Sequence, residues 1–260
     1  MTNKARIVSI ANQKGGVGKT TTAINLGAAI SEKGNKTLLI DLDPQGNAST
    51  GVAIQAEERN RTSYDLLVEG MSVEAVALKT GIPNLDVVPS NTDLSSADVE
   101  IMTERDKLLK LKRALDGQTS YDFIFIDCPP SLNLLTLNAF AASDSVLVPL
   151  QSEFFALEGL SQLLLTVKEV REAMGGGLVV DGVVLTMFDR RNKLSQQVEL
   201  DVRSNLGELV YDAIIPRSVR MSEAPSYGES VFQYAPSSAG AAAYLALATE
   251  FLKRHKSRLS

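Results

Sequence analysis

The stretch Lys14-Gly15-Gly16-Val17-Gly18-Lys19-Thr20-Thr21 constrains this chain more than any other. It follows an apolar run, Ile7 to Ala11, and opens into a helix-forming segment, Thr20 to Ile30, so strand, glycine loop and helix N-terminus come in order. That order makes a phosphate-binding loop. Glycines let backbone N–H groups turn inward around phosphate oxygens, the helix N-terminus adds positive potential, Lys19 supplies a point charge, and Thr20 offers a hydroxyl to Mg²⁺. A nucleoside triphosphate is the expected ligand. The ordinary pattern G-x-x-x-x-G-K-[ST] would place glycine at position 13, where this chain has Gln13 followed by a second lysine, Lys14.

Two further blocks read in the same direction. Leu38-Leu39-Ile40-Asp41-Leu42-Asp43-Pro44-Gln45-Gly46-Asn47 puts two carboxylates at the end of a buried-type strand, and ligands of open α/β sheets sit beyond such ends. Phe123-Ile124-Phe125-Ile126-Asp127-Cys128-Pro129-Pro130-Ser131 is an apolar strand ending in an acid that can hold Mg²⁺, usually through water. Taken singly, each aspartate can equally cap the helix that follows it.

At 260 residues and 44% apolar composition the chain can bury one sizeable core, and no interdomain linker interrupts the strand–helix alternation, so a single domain over 1–260 is expected. No apolar stretch approaches the 18 or so residues needed to cross a bilayer, and Met1 to Ile10 lacks the apolar centre of a secretory signal, which points to the cytoplasm. Cys128 is the sole cysteine and is expected to be a buried structural thiol.

Periodicity predicts strands near Ile7–Ala11, Thr37–Asp41, Leu85–Val88, Phe123–Asp127, Ser145–Leu150, Val179–Thr186 and Leu209–Ile215. Helices are expected over Glu104–Leu115, Leu157–Met174 and Ala239–Arg254, and a surface loop over Gln55–Thr62. The architecture implied is α/β: a mainly parallel twisted sheet with helices on both faces. The net charge is −5, yet Met187 to Ser260 carries ten Lys/Arg against eight Asp/Glu, so the basic residues are displaced toward the C-terminal third. Solvated charges cluster this way by chance as readily as they mark a partner surface. His255, within a basic tail, reads as a solvated surface residue.

The blocks Ala11 to Thr22, Asp41 to Asn47, Asp127 to Ser131, Leu157-Glu158-Gly159-Leu160, Leu185 to Asp189 and Ile215 to Pro225 resemble the ParA (Soj) ATPases of the ParA/MinD superfamily, whose deviant Walker A loop carries the extra lysine. The resemblance spans nearly the whole chain. It implies a P-loop NTPase fold and hydrolysis of ATP with Mg²⁺. It implies that Lys14 reaches across a dimer to the partner's nucleotide, that Lys19 and the amides of Gly15 to Thr21 hold the phosphates, and that Asp43 orients the attacking water. Thr20, Asp41 and Asp127 would serve the metal and its waters, with Met187 and Pro216 at the adenine. It also implies an ATP-bound homodimer that binds DNA without sequence preference through Arg191 and Arg220, with Arg190, Lys193 and Arg217 as neighbours, and a ParB-like stimulating partner. Such a protein would sit on the nucleoid, its cargo a chromosome, a plasmid or a protein assembly. A MinD-type membrane-switched ATPase is the alternative, but Ala239 to Ser260 has an alanine-rich body without the bulky apolar face of a membrane anchor. A nitrogenase-iron-protein-like reductase would need two cluster cysteines per subunit. The N-terminal helix-turn-helix extension of larger plasmid ParA proteins is missing before the first strand, which argues against operator repression.

Overall fold

The computed structural model describes residues 4–153 and 156–257. In chain order it runs β1 (Arg6–Ile10), α1 (Lys19–Glu32), β2 (Thr37–Asp41), α2 (Asn47–Gly51), α3 (Ser63–Leu67), α4 (Val73–Val76), β3 (Leu78–Lys79), β4 (Leu85–Val88), α5 (Leu94–Glu100) and α6 (Lys110–Ala114). There follow β5 (Phe123–Asp127), α7 (Leu134–Ala142), β6 (Ser145–Gln151), α8 (Ala156–Ala173), β7 (Val179–Thr186), α9 (Lys193–Leu206), α10 (Val219–Glu223), α11 (Val231–Tyr234) and α12 (Ala239–Ser257).

The strands form one sheet in the order β3-β4-β2-β5-β1-β6-β7, parallel throughout except for the antiparallel β3–β4 edge pair. Side chains alternate between faces along each strand, and the core divides accordingly. Val8, Ile10, Leu39, Phe123 and Phe125 pack with Ile24 and Leu26 of α1 and Tyr244, Leu247 and Phe251 of α12. Ile7, Leu38, Ile40, Ile124 and Ile126 face the opposite layer with Phe140 of α7 and Leu163 of α8. Helix α1 is buried on nearly all sides; a change such as Leu26→Ala in this layer would cost about 2–5 kcal/mol. The P-loop NTPase architecture is as expected, with helices on both faces.

The register explains why the three motifs meet. β5 lies between β1 and β2, with Asp127 opposite Ile10 on one side and Asp41 on the other. The loop leaving β1 and the acids ending β2 and β5 therefore emerge side by side at the carboxyl edge.

Three expectations need correction. Leu209–Ile215 is not a continuous strand: the segment meets β7 intermittently, Tyr211 N donating to Val183 O and Ile215 N to Leu185 O, both at 2.8 Å, and forms isolated bridges, Val183 with Val210 and Phe188 with Pro216. Between those contacts two amides are taken elsewhere, Asp212 and Ala213 donating to the two carboxylate oxygens of Glu250 on α12 at 3.1 and 3.0 Å, and the ladder is interrupted there. The helix expected over Glu104–Leu115 contracts to Lys110–Ala114. Asn138 of α7 inserts into it, donating to Lys107 O at 2.6 Å and accepting from Leu111 N at 3.4 Å, so the i to i+4 bond between those residues is replaced by a side chain. His255 is not solvated. It is 5% exposed, packs on Phe251 at 4.1 Å between centroids, and sets Nε2 3.0 Å from a carboxylate oxygen of Asp181. Among the described residues no helix is long and apolar enough to cross a membrane.

Candidate functional site

Residues 12–19 close over the end of β1 as a loop fixed from three directions. Asn12, buried, donates to Pro149 O at 2.7 Å and accepts from Lys14 N at 3.0 Å, while Thr186 at the end of β7 donates to Val17 O at 2.8 Å. Gly16 and Gly18 have φ of 73° and 87°, conformations that disfavour a Cβ. A Cβ built at Gly15 or Gly16 meets no protein atom within 4 Å, so these glycines keep clear the space above the loop.

Lys19 turns inward, 7% exposed, and donates to Lys14 O at 2.9 Å. Burial lowers its pKa, opposed by the neighbouring Asp127, Cys128 and Asp43. Asp127 is fully buried, and neither carboxylate oxygen has a hydrogen-bond partner. Burial pushes its pKa well up, Asp41 and Asp43 add to the rise, and the Thr20 hydroxyl and Lys19 oppose it. An orphaned carboxylate in the interior is costly unless a partner arrives. Beside the Thr20 hydroxyl and under a phosphate loop, that partner fits a hard divalent cation with oxygen ligands, such as Mg²⁺.

Asp41 has a different situation. One oxygen accepts from Asp43 N at 3.2 Å and the other from Ser49 N and Oγ at 2.8 and 2.6 Å. Burial still raises its pKa to about 6, with the Ser49 bonds pulling the other way. Asp43, 9% exposed, accepts from Gln45 N at 3.0 Å and lines a cleft of ≈ 560 Å³ with Gly15, Gly16, Lys19 and Thr20. Met187 borders this cleft and also an adjoining cavity of ≈ 340 Å³, where it meets Pro216, Thr21 and Tyr244. Its φ of 50° is unusual for a non-glycine residue. Cys128 is buried, its Sγ 3.8 Å from Ile126 O, and burial raises its thiol pKa, as a structural role requires.

Lys14 pairs its ammonium with Glu153, while the cleft is lined by Gly15, Gly16, Gly18, Lys19, Thr20 and Thr21 of the same loop. Arg191 and Arg220 lie outside the cleft. Arg191 forks onto both oxygens of Asp189 and Arg220 bonds Glu223 at 3.1 Å. The Phe188–Pro216 bridge places the loop carrying Arg190 and Arg191 beside the segment carrying Arg217 and Arg220, next to the Met187 cavity. Sequence reading missed Ser49, Thr186 and Glu153; positions at or just past the ends of β7 and β6 could have signalled Thr186 and Glu153, whereas Ser49 lies on α2 and carries no such signal.

The family model of an AAA domain matches residues 5–179. The chromosome partitioning protein ParA of Caulobacter vibrioides is 52% identical over 259 residues, covering 98% of this chain and 97% of that protein. The chain belongs to the ParA/Soj family of partitioning ATPases. Soj of Bacillus subtilis, a sporulation initiation inhibitor protein, is 48% identical over 94% of this chain and 97% of its own length. Among solved structures, cobyrinic acid a,c-diamide synthase from Mycobacterium smegmatis with bound ADP and magnesium superposes with a TM-score of 0.84 at 35% identity, covering 97% of this chain and 96% of that one. As a ParA/Soj protein the chain is an ATP-hydrolysing P-loop enzyme.

Proposed function

We propose that this chain is a DNA-partitioning ATPase whose ATP-bound dimer binds DNA without sequence preference and leaves it after hydrolysis stimulated by a ParB-like partner. The observation that carries the reading is the divergence of the two loop lysines: Lys19 faces its own cleft, whereas Lys14 lies outside it on Glu153. One lysine serves the nucleotide in its own loop, and the other is free to serve a second copy's once Glu153 releases it.

Lys19 and the amides of Gly15 to Thr21 hold the phosphates, Thr20 and Asp127 would hold Mg²⁺, and Asp41 supports that end of the site from behind through Asp43 and Ser49. When bound there, Mg²⁺ would supply positive charge that offsets the negative charge of the phosphate oxygens. Asp43, with one oxygen occupied by Gln45 N, orients the attacking water with the other. Met187 and Pro216 wall the adenine. Lys14 of the second copy adds positive charge at the γ-phosphate, in the manner of a trans arginine finger.

The arginine surface lies beside the nucleotide cavity, so a nucleotide-dependent dimer would present two copies of it to DNA phosphates. The work would take place in the cytoplasm, on the nucleoid. A membrane-switched role is disfavoured because Tyr244, Leu247, Ala248 and Phe251 of α12 are buried in the core and not available to lipid. Sedimentation with a non-hydrolysable ATP analogue or ADP, with and without DNA of unrelated sequence, tests the proposal. A monomer in both nucleotides, or equal DNA binding in both, would overturn it.

A further inference from the structure

Arg59 lies between α2 and α3, in a stretch that reads as plain surface loop, yet its guanidinium makes four hydrogen bonds. Nε and Nη2 donate to Ile54 O at 3.2 and 2.7 Å, Nη1 donates to Ser90 O at 3.0 Å, and Nη2 also reaches Thr50 Oγ1 at 2.7 Å. Gly46 passes directly beneath. Its φ is 64°, and a Cβ built there would stand 2.3 Å from Nη1 and 2.9 Å from Ser90 O. Glycine is required at this point for both backbone conformation and clearance.

What Arg59 grips is the segment that carries Asp43. Gly46 N donates to Asp43 O at 2.9 Å, and Thr50 donates from both N and Oγ1 back to Gly46 O. The same segment has an inner tie: Asp41 accepts from Ser49, and Ser49 Oγ in turn accepts from Ser90 N at 2.9 Å. Ser90, just beyond β4, is therefore a fixed post, its N–H joined to the buried tie and its C=O to the guanidinium. A segment held by the inner tie alone can pivot about Ser49; two ties on one post prevent it.

We propose that Arg59 is a positioning residue for hydrolysis, locking residues 43–50 against the exit of β4 so that the Asp43 carboxylate keeps its aim at the attacking water. The proposal rests on the reading of Asp43 as the residue that orients that water. A planar fork with donors in fixed directions is needed to reach Ser90, Thr50 and Ile54 at once, which a lysine ammonium cannot do.

The test uses the full chain, measuring steady-state ATP hydrolysis and, without any ligand, amide hydrogen exchange across residues 43–50. Arg59→Ala should lower kcat by ~10- to 100-fold, the scale of a catalytic group displaced by an ångström, with KM changed by less than about twofold. Exchange should accelerate in residues 43–50 and not in the sheet. Arg59→Lys, which keeps the charge, should recover little of either effect and serves as the readout should the alanine variant fail to fold. Unchanged kcat, full recovery by lysine, or faster exchange spread over the whole chain would each overturn the proposal. If instead Asp43→Ala hydrolyses ATP like the wild type, the water-orienting role of Asp43 fails, and the exchange data still decide whether Arg59 holds the segment.

Discussion

Arg191 is clasped by Asp189 two residues before it, Nε and Nη2 each 3.1 Å from a different carboxylate oxygen. The arginine holds the Asp189 carboxyl below its usual range, and the pair is exposed, so the contact itself adds little stability. Its importance is local charge.

Phosphate binding at this surface should accordingly respond to both partners. Arg191→Ala and Arg220→Ala should weaken binding of the ATP-state protein to unrelated DNA sequences alike. Each removes about two phosphate contacts per dimer and flattens the log–log salt slope by roughly 1.8. Asp189→Asn should strengthen binding at low salt. Salt titrations by fluorescence anisotropy check this, and variants indistinguishable from wild type would remove the arginines from the DNA surface.

Lys14 and Lys19 should fail in different ways. Lys19→Ala should abolish productive ATP binding, while Lys14→Ala should bind nucleotide as a monomer yet neither dimerise nor hydrolyse ATP efficiently. Glu153→Gln, which weakens the hold on Lys14, should shift ATP-dependent dimerisation to lower protein concentration. Nucleotide affinity together with analytical ultracentrifugation separates the three, and normal dimerisation by Lys14→Ala would end its role in trans.

Asp43→Ala should retain ATP binding and dimerisation while hydrolysis falls by about 10²-fold or more, because a water-orienting contact acts in the transition state and not in ground-state binding. Phosphate release assays on trapped dimers measure it. Rapid turnover would assign the water to another group.

The buried acids set a pH dependence for the ligand-free protein. Burial raises the folded-state pKa of Asp41 to about 6 and that of Asp127 well above its ordinary value, whereas an unfolded aspartate titrates near ~3.9. Between those limits the native state binds more protons than the unfolded one. This contribution to stability is complete below about pH 4 and is lost as pH rises through the folded pKa values. Unfolding midpoints in urea should therefore decline from about pH 4 upward, the Asp41 contribution levelling off above about 6 and the Asp127 contribution continuing beyond it. Asp127→Asn should flatten that decline by up to about 1.4 kcal/mol per pH unit, and an unaltered slope would show that Asp127 is already ionised.

Much of this was legible in the chain because the decisive signals are local. Thr37–Asp41 and Phe123–Asp127 are apolar runs closed by an acid, and both strands fall on those bounds. Met187 and Pro216 do share a cavity, and Lys19, Thr20, Asp41, Asp43 and Asp127 do converge. What escaped depends on partners distant in sequence. Nothing near Leu209–Ile215 reveals that Glu250 will claim the amides of Asp212 and Ala213, and nothing near Lys107 reveals Asn138. His255 has the neighbours of a solvated tail in sequence and those of a core residue in space, because Asp181 and Phe123 lie on strands far upstream. Arg59 looked like any surface cation because its acceptors are mostly backbone carbonyls, which carry no sequence signature.

The two margins of the sheet bear on how densely such molecules can be crowded. One ends in β3, only two residues long, and the other, β7, is shadowed by the irregular run from Val210 to Pro216. Neither offers a long flat row of free N–H and C=O groups on which another chain's strand could grow. Copies brought to high local concentration would thereby be guarded against pairing edge to edge into fibrils, and the interrupted run beside β7 is part of that guard.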